Sequence, residues 1–194
     1  ILLTNDDGIA SPGLWAAAEA LAGLGQVTVA APREQSSGTG RSLPASSDGI
    51  ITRQLVMVGG KPHEAYAVGG TPAQAVLHGM LEILHGPPAL VVAGINYGEN
   101  VGTGVTISGT VGAVLEAASH GIPALAVSLQ ILSQEWYTYH DLDFSTAADF
   151  SVRFARVLLG RALPADVDLL KVDIPAEARL DTPWRITRQS RQRY

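Results

Sequence analysis

Short apolar runs along this chain alternate with longer stretches whose apolar residues recur every three to four positions. Leu2-Leu3 opens the chain and gives way at once to Thr4-Asn5-Asp6-Asp7-Gly8. An apolar run of this kind reads as a buried strand. Ser11-Pro12 then supplies an N-cap with proline at the first helical position. Leu14, Ala18, Leu21 and Ala22 share one face of the helix that follows, which stops near Gly23 or Gly25. Residues 27–31 read as a second strand ended by Pro32, which completes a β-α-β unit with parallel strands and a right-handed crossover. Residues 33–49 are a long polar stretch that starts at a strand's carboxyl end, so function is expected of Ser36 to Ser42. Residues 50–58 and 65–68 read as two extended segments joined through Gly59-Gly60, a hairpin or an insertion.

The same alternation continues downstream. Thr71-Pro72 repeats the cap-plus-proline signal, and a helix is expected through Ala75, Val76, Met80, Leu81 and Leu84. Ala89-Leu90-Val91-Val92-Ala93-Gly94-Ile95 is the most apolar run and predicts a central parallel strand. It ends at Asn96 and a glycine-rich segment that includes Asn100. Ser108-Gly109-Thr110 opens a further helix, closed by Gly121. Residues 122–129 predict a strand, 144–159 an amphipathic helix and 168–174 a last short strand. Strands alternating with helices give an α/β fold, a doubly wound and mostly parallel sheet with helices on both faces. Residues 1–175 form this domain. In residues 176–194 the pattern decays, and Arg185, Arg188, Arg191 and Arg193 crowd the last ten positions as a solvated or subunit-contacting segment.

Composition narrows the functional classes. A hydrophobic fraction of 46% and a charged fraction of 16% mark a folded, well-buried chain. The net charge of −5 argues against a nucleic-acid polymer as partner, which needs a basic face. The chain has no cysteine, so disulfides, thiolate catalysis and zinc–thiolate sites are excluded. No apolar run reaches membrane-spanning length and no signal peptide is visible. The chain opens at Ile1 rather than methionine and reads as trimmed; a cytoplasmic location is the default expectation.

Oxygen-bearing side chains gather at strand ends. Asp6 and Asp7 follow the first strand, Asn96 and Asn100 the central one, and Ser36 and Ser37 the second. In open α/β sheets ligands bind beyond the carboxyl ends of the strands. Two neighbouring carboxylates repel unless a cation lies between them, and this set of ligands suits magnesium, manganese or calcium. Alone, Asp6-Asp7-Gly8 reads more readily as a turn; beside the Asn-rich end of a second strand, the metal reading comes ahead. Ser108-Gly109-Thr110 reads equally as a phosphate site at a helix N-terminus or as plain N-capping. No phosphate-loop or dinucleotide signature is present, and no G-x-S-x-G elbow. His63, His78, His85, His120 and His140 form no metal-ligand spacing. A divalent ion beside an anion site points to phosphoester hydrolysis.

The stretches Leu3-Thr4-Asn5-Asp6-Asp7-Gly8-Ile9 and Ser11-Pro12-Gly13-Leu14 resemble the opening of the survival protein E (SurE) family. Ala31-Pro32 to Gly40, Gly70-Thr71-Pro72-Ala73, Gly94-Ile95-Asn96-Tyr97-Gly98-Glu99-Asn100 and Ser108-Gly109-Thr110-Val111 match in the same order. The resemblance implies a metal-dependent nucleotidase acting on nucleoside 5′-monophosphates, with 3′-monophosphates and short polyphosphate as further substrates. It implies one divalent ion per subunit, Mg2+ or Mn2+, with Ca2+ as a crystal substitute. The implied metal ligands are Asp6, Asp7, Ser37 and Asn96, with Asp6 or Asp7 as proton acceptor. Asn100, Ser108, Gly109 and Thr110 are the implied phosphate region. A homodimer or homotetramer is implied as well. Two positions depart from the family pattern: Gln74 stands where an aspartate is usual, and Ile107 where an aromatic residue or histidine is common. The alternative is a non-catalytic nucleotide-binding or regulatory α/β module, whose acidic pair only shapes a turn.

Overall fold

β1 (Leu2–Thr4) is buried along its whole length, and that placement organises the molecule. Leu2 packs on one side of the sheet with Val76, Val111 and Val114, and Leu3 on the other with Leu14, Trp15 and Phe150. The computed structural model describes residues 1–58, 60–132, 142–160 and 163–192. Gly59, His140 and Arg193, each singled out in the sequence, lie outside the described residues.

α1 (Pro12–Leu21) leads to β2 (Thr28–Pro32), and the hairpin β3 (Ile51–Val58) and β4 (Lys61–Val68) follows. Then come α2 (Pro72–His78), β5 (Val91–Tyr97), α3 (Gly109–Ser119), β6 (Ala124–Leu129), α4 (Ser145–Gly160) and β7 (Leu169–Ile174). The seven-stranded sheet has the order β3-β4-β2-β1-β5-β6-β7. β3 runs antiparallel to β4 at one edge and the other pairings are parallel. The doubly wound, mostly parallel arrangement expected from the sequence is what the structure has. After β1 the chain builds outward on one side through β2, then returns to the other side at β5. The crevice beyond the ends of β1 and β5 is therefore the topological switch point, where ligands bind in open α/β sheets.

Three local differences from the sequence expectations have physical causes. β4 begins at Lys61 rather than residue 65, because its polar first half pairs residue for residue with edge strand β3. The helix after Thr71 does not run evenly to Leu84. It widens into a π turn over Gly79–Ile83, where Gly79 lies so close to Leu2 that an added Cβ would sit 2.7 Å from its side chain. β5 carries a bulge between Ala93 and Asn96. Among the described residues, no helix is long and apolar enough to cross a membrane. Residues 175–192 carry neither helix nor strand, but they fold back along the molecule. Trp184 meets Phe154 edge to face, and the Gln189 side chain donates to the Gly102 carbonyl at 3.0 Å.

Candidate active site

At the switch point, a cleft of about 340 Å3 is lined by Asp6, Asp7, Ser37, Asn96, Asn100 and Ser108, with Gln35, Gly38, Tyr97, Gly98, Glu99, Gly104 and Ile107 completing its walls. Six of the eight residues singled out in the sequence thus share one cavity. Gly109 and Thr110 stand behind Asp6 instead.

The position of Asn96 depends on the bulge in β5. Ala93 pairs with Ala126 and Asn96 with Ser128, so one extra residue is accommodated on β5. Gly94 takes that place at φ +134°, and an added Cβ would lie 2.4 Å from the Val127 carbonyl oxygen. Strand side chains alternate between faces, and a bulge resets the alternation. Ile95 consequently packs with the α1–α4 core, and Asn96 turns toward α3. The Asn96 Nδ2 donates to the Gly98 carbonyl at 2.6 Å, which leaves Oδ1 facing Thr110 at 3.1 Å.

Asp6 is held by α3. The Thr110 hydroxyl donates to Asp6 Oδ1 at 2.5 Å. Gly109 allows the approach, since an added Cβ would meet Asp6 Cβ at 2.7 Å and Oδ2 at 2.9 Å. The helix N-terminus that the sequence offered to a phosphate is thus turned toward a carboxylate of the protein. Ser108 caps the same helix, its Oγ accepting from the Val111 N–H at 3.2 Å, so the capping reading of that serine is realised. Asp7 Oδ2 accepts from the Tyr97 N–H at 3.0 Å.

Both carboxylates are buried, with Asp6 4% and Asp7 8% exposed. Burial raises the Asp6 pKa above its ordinary value, against the pull of the Thr110 hydroxyl and nearby backbone N–H groups that include those of Thr110 and Gly109. Burial, then the neighbouring Asp6 charge, pushes Asp7 up to about 7. No lysine, arginine or histidine lines the cleft among the described residues.

Ser37 comes from the long loop after β2. It is exposed at the cleft edge, and its Oγ accepts from Gln35 Nε2 at 3.1 Å. The backbone N–H of Ser36 donates to the Asp6 carbonyl at 2.7 Å. Asn100 donates through Nδ2 to Ser128 Oγ at 3.0 Å and through its backbone N–H to Asp173 at 3.0 Å. Among the described residues no cluster of three or more histidines, cysteines or acidic residues is placed to hold a metal. An ion here would draw on two carboxylates completed by an amide oxygen and a hydroxyl. Such an all-oxygen set fits a hard divalent cation.

A family model described as "Survival protein SurE" matches residues 1–194. This chain belongs to the SurE family. A protein named 5′-nucleotidase SurE from Methanosarcina mazei is 46% identical over 198 aligned positions, covering 99% of this chain and 73% of that one. A SurE-family relative of the same name from Thermococcus gammatolerans is 43% identical, covering 100% of this chain and 71% of its own length. The crystal structure of the SurE protein from Aquifex aeolicus superposes with a TM-score of 0.79 at 34% identity, over 97% of this chain and 71% of that one.

The contributions absent from the sequence reading are mostly backbone ones. The Tyr97 N–H on Asp7 and the amides at the start of α3 carry no residue-type signal. Gln35 lay just outside the Ser36 to Ser42 segment expected to be functional and Glu99 between Asn96 and Asn100, but nothing in their spacing set them apart.

Proposed function

We infer that this chain is a divalent-metal-dependent phosphohydrolase that removes phosphate from nucleoside 5′-monophosphates. The observation that carries this reading is a cleft with two buried carboxylates and no cationic side chain lining it among the described residues. A phosphate dianion entering such a cleft needs positive charge from elsewhere. The relatives named 5′-nucleotidase SurE supply the substrate class.

Asp6, Asp7, Asn96 and Ser37 would hold one Mg2+ or Mn2+ ion, which supplies Lewis-acid charge toward a phosphoryl oxygen and lowers the pKa of water at neutral pH. The protein's own groups do the rest. Thr110 and the N-terminus of α3 fix Asp6. The Asn96 amide is oriented by its bond to the Gly98 carbonyl. Ser108 retains its hydroxyl hydrogen after accepting the cap bond, and with Asn100 it lines the cleft that the phosphate would enter. The proton released by the attacking water passes to a carboxylate of the Asp6–Asp7 pair.

The exposed Trp184 and Ile186 of the C-terminal segment fit a contact with a second copy, in a dimer or tetramer, which light scattering of the purified protein tests.

The functional test is release of inorganic phosphate from AMP and GMP in Mg2+ or Mn2+, with and without EDTA. Turnover is expected with metal and is lost with chelator and in Asp7→Asn. Unchanged turnover in Asp7→Asn would sink the reading. Parallel assays with 3′-monophosphates and short polyphosphate define the breadth of the site.

A further inference from the structure

Ser37 reaches the cleft from a long loop, whereas Asp6, Thr110 and Asn96 belong to the packed body. Something must therefore fix the loop to that body. The segment 36–42 is folded on itself: the Thr39 hydroxyl donates to the Ser36 carbonyl at 2.8 Å, and the Ser42 N–H donates to the Thr39 carbonyl at 3.1 Å. Its upstream end is tied to the body by the Ser36 N–H on the Asp6 carbonyl at 2.7 Å, so the downstream end is the second anchor that places Ser37.

That downstream end is clamped to α3. The Gly40 N–H donates to the Ile107 carbonyl at 2.9 Å. Gly112 presents bare helix backbone to the loop, and an added Cβ would lie 2.1 Å from the Gly40 carbonyl oxygen and 2.6 Å from the Arg41 nitrogen. Arg41 then forks onto two turns of the helix. Its Nε donates to Glu116 Oε2 at 2.7 Å, and an Nη donates to Ser119 Oγ at 2.8 Å. The Glu116 side chain is 3% exposed. A carboxylate buried in mid-helix is unfavourable unless it is paired, and Arg41 and His120 are the basic groups that reach it. A leucine at position 116 would satisfy helix packing alone, so the charge is explained by what it holds.

We propose that Arg41 is a positioning residue: through Glu116 it clamps the loop to α3 and so sets Ser37 against Asp6, which the first turn of the same helix holds. Arg41 does not line the cleft, so it acts through Ser37 and not on the substrate. The inference rests on the metal-site reading above.

The test measures Mn2+ binding to metal-free protein by calorimetry, alongside kcat and KM for AMP. Arg41→Ala is expected to weaken Mn2+ binding about tenfold or more, the usual effect of removing a group that orients a ligand. Arg41→Lys restores charge without the fork and recovers binding only in part. The decisive comparison is a double-mutant cycle. In a Ser37→Ala background, Arg41→Ala is expected to add no further loss of Mn2+ affinity. Full additivity, or wild-type Mn2+ affinity in Arg41→Ala, overturns the proposal. Should Arg41→Ala not fold, Ser119→Ala removes one arm of the fork and takes its place in the cycle. If the wild-type protein neither binds Mn2+ nor releases phosphate, the nucleotidase reading itself fails. If it does both while the Arg41 and Ser119 variants match it, only the clamp is wrong.

Discussion

Thr110 has one hydroxyl hydrogen and two acceptors within reach, Asp6 Oδ1 at 2.5 Å and Asn96 Oδ1 at 3.1 Å. The shorter, charge-assisted contact takes the hydrogen. The side chain is fully buried, so it works from behind the cleft rather than within it. Thr110→Val keeps the shape and removes the donor. We expect it to lower kcat/KM for AMP by roughly ten- to hundredfold and to weaken Mn2+ binding, as loss of an outer-shell partner does; Thr110→Ser should retain most of both. A rise in KM with unchanged Mn2+ affinity would mean that this hydroxyl meets the phosphate instead. Residue type alone could not separate the two roles. Threonine at a helix start is a plausible phosphate ligand, a cap or a carboxylate partner, and only the packing of Gly109 against Asp6 distinguishes them. The oxygen-bearing side chains at strand ends were legible because fold class fixes where strand ends go. The amides that hold them were not, because every residue has one.

At the scale of elements, β5 shows where periodicity stops being informative. An uninterrupted apolar run from Ala89 to Ile95 predicts a regular strand, and its burial and parallel pairing were legible from that run. The bulge was not, yet it places Asn96 on the same face as Thr110 rather than the opposite one. Gly94 is its only residue-level trace, since a glycine inside a strand marks a bulge or a close backbone approach. Gly94→Ala forces a side chain into left-handed backbone and against the Val127 carbonyl. Strain of this kind costs about 1–3 kcal/mol, which for a chain of this size lowers Tm by roughly 3–10 °C. Well below its Tm the variant should still lose most phosphate release, because Asn96 is turned from the site. Gly23→Ala, where an added Cβ meets nothing within 4 Å, should leave Tm within about 2 °C. Comparable Tm values for the two variants in thermal melts would count against the bulge as a fixed feature. The π turn at Gly79 escaped the sequence for a related reason. Helical spacing continued through Met80 and Leu84, while the contact between Gly79 and Leu2 was set by a strand far away in sequence.

For the whole molecule, the Asp6–Asp7 pair makes the free energy of folding depend on both metal and pH. In metal-free protein Asp7 is pushed up to about 7, above the ordinary carboxylate range expected when unfolded, so the folded state holds its proton more tightly. This contribution favours folding in full below the unfolded carboxylate range and is lost as pH rises through about 7. Metal-free protein should therefore melt at lower temperature at pH 8 than at pH 5.5. A divalent ion that binds only the folded state reverses the trend, because it takes the charge that the proton otherwise masks. At about one hundred times its dissociation constant, such an ion adds roughly 2.7 kcal/mol, or on the order of 5–10 °C in Tm. The Mn2+-induced rise in Tm should be larger at pH 8 than at pH 5.5, and Asp7→Asn should remove most of it at both. Paired thermal melts in EDTA and in Mn2+ across that range measure it. A Tm rise in Asp7→Asn equal to wild type would place the ion elsewhere, while a rise that shrinks toward pH 8 would mean that the carboxylates do not bear its charge.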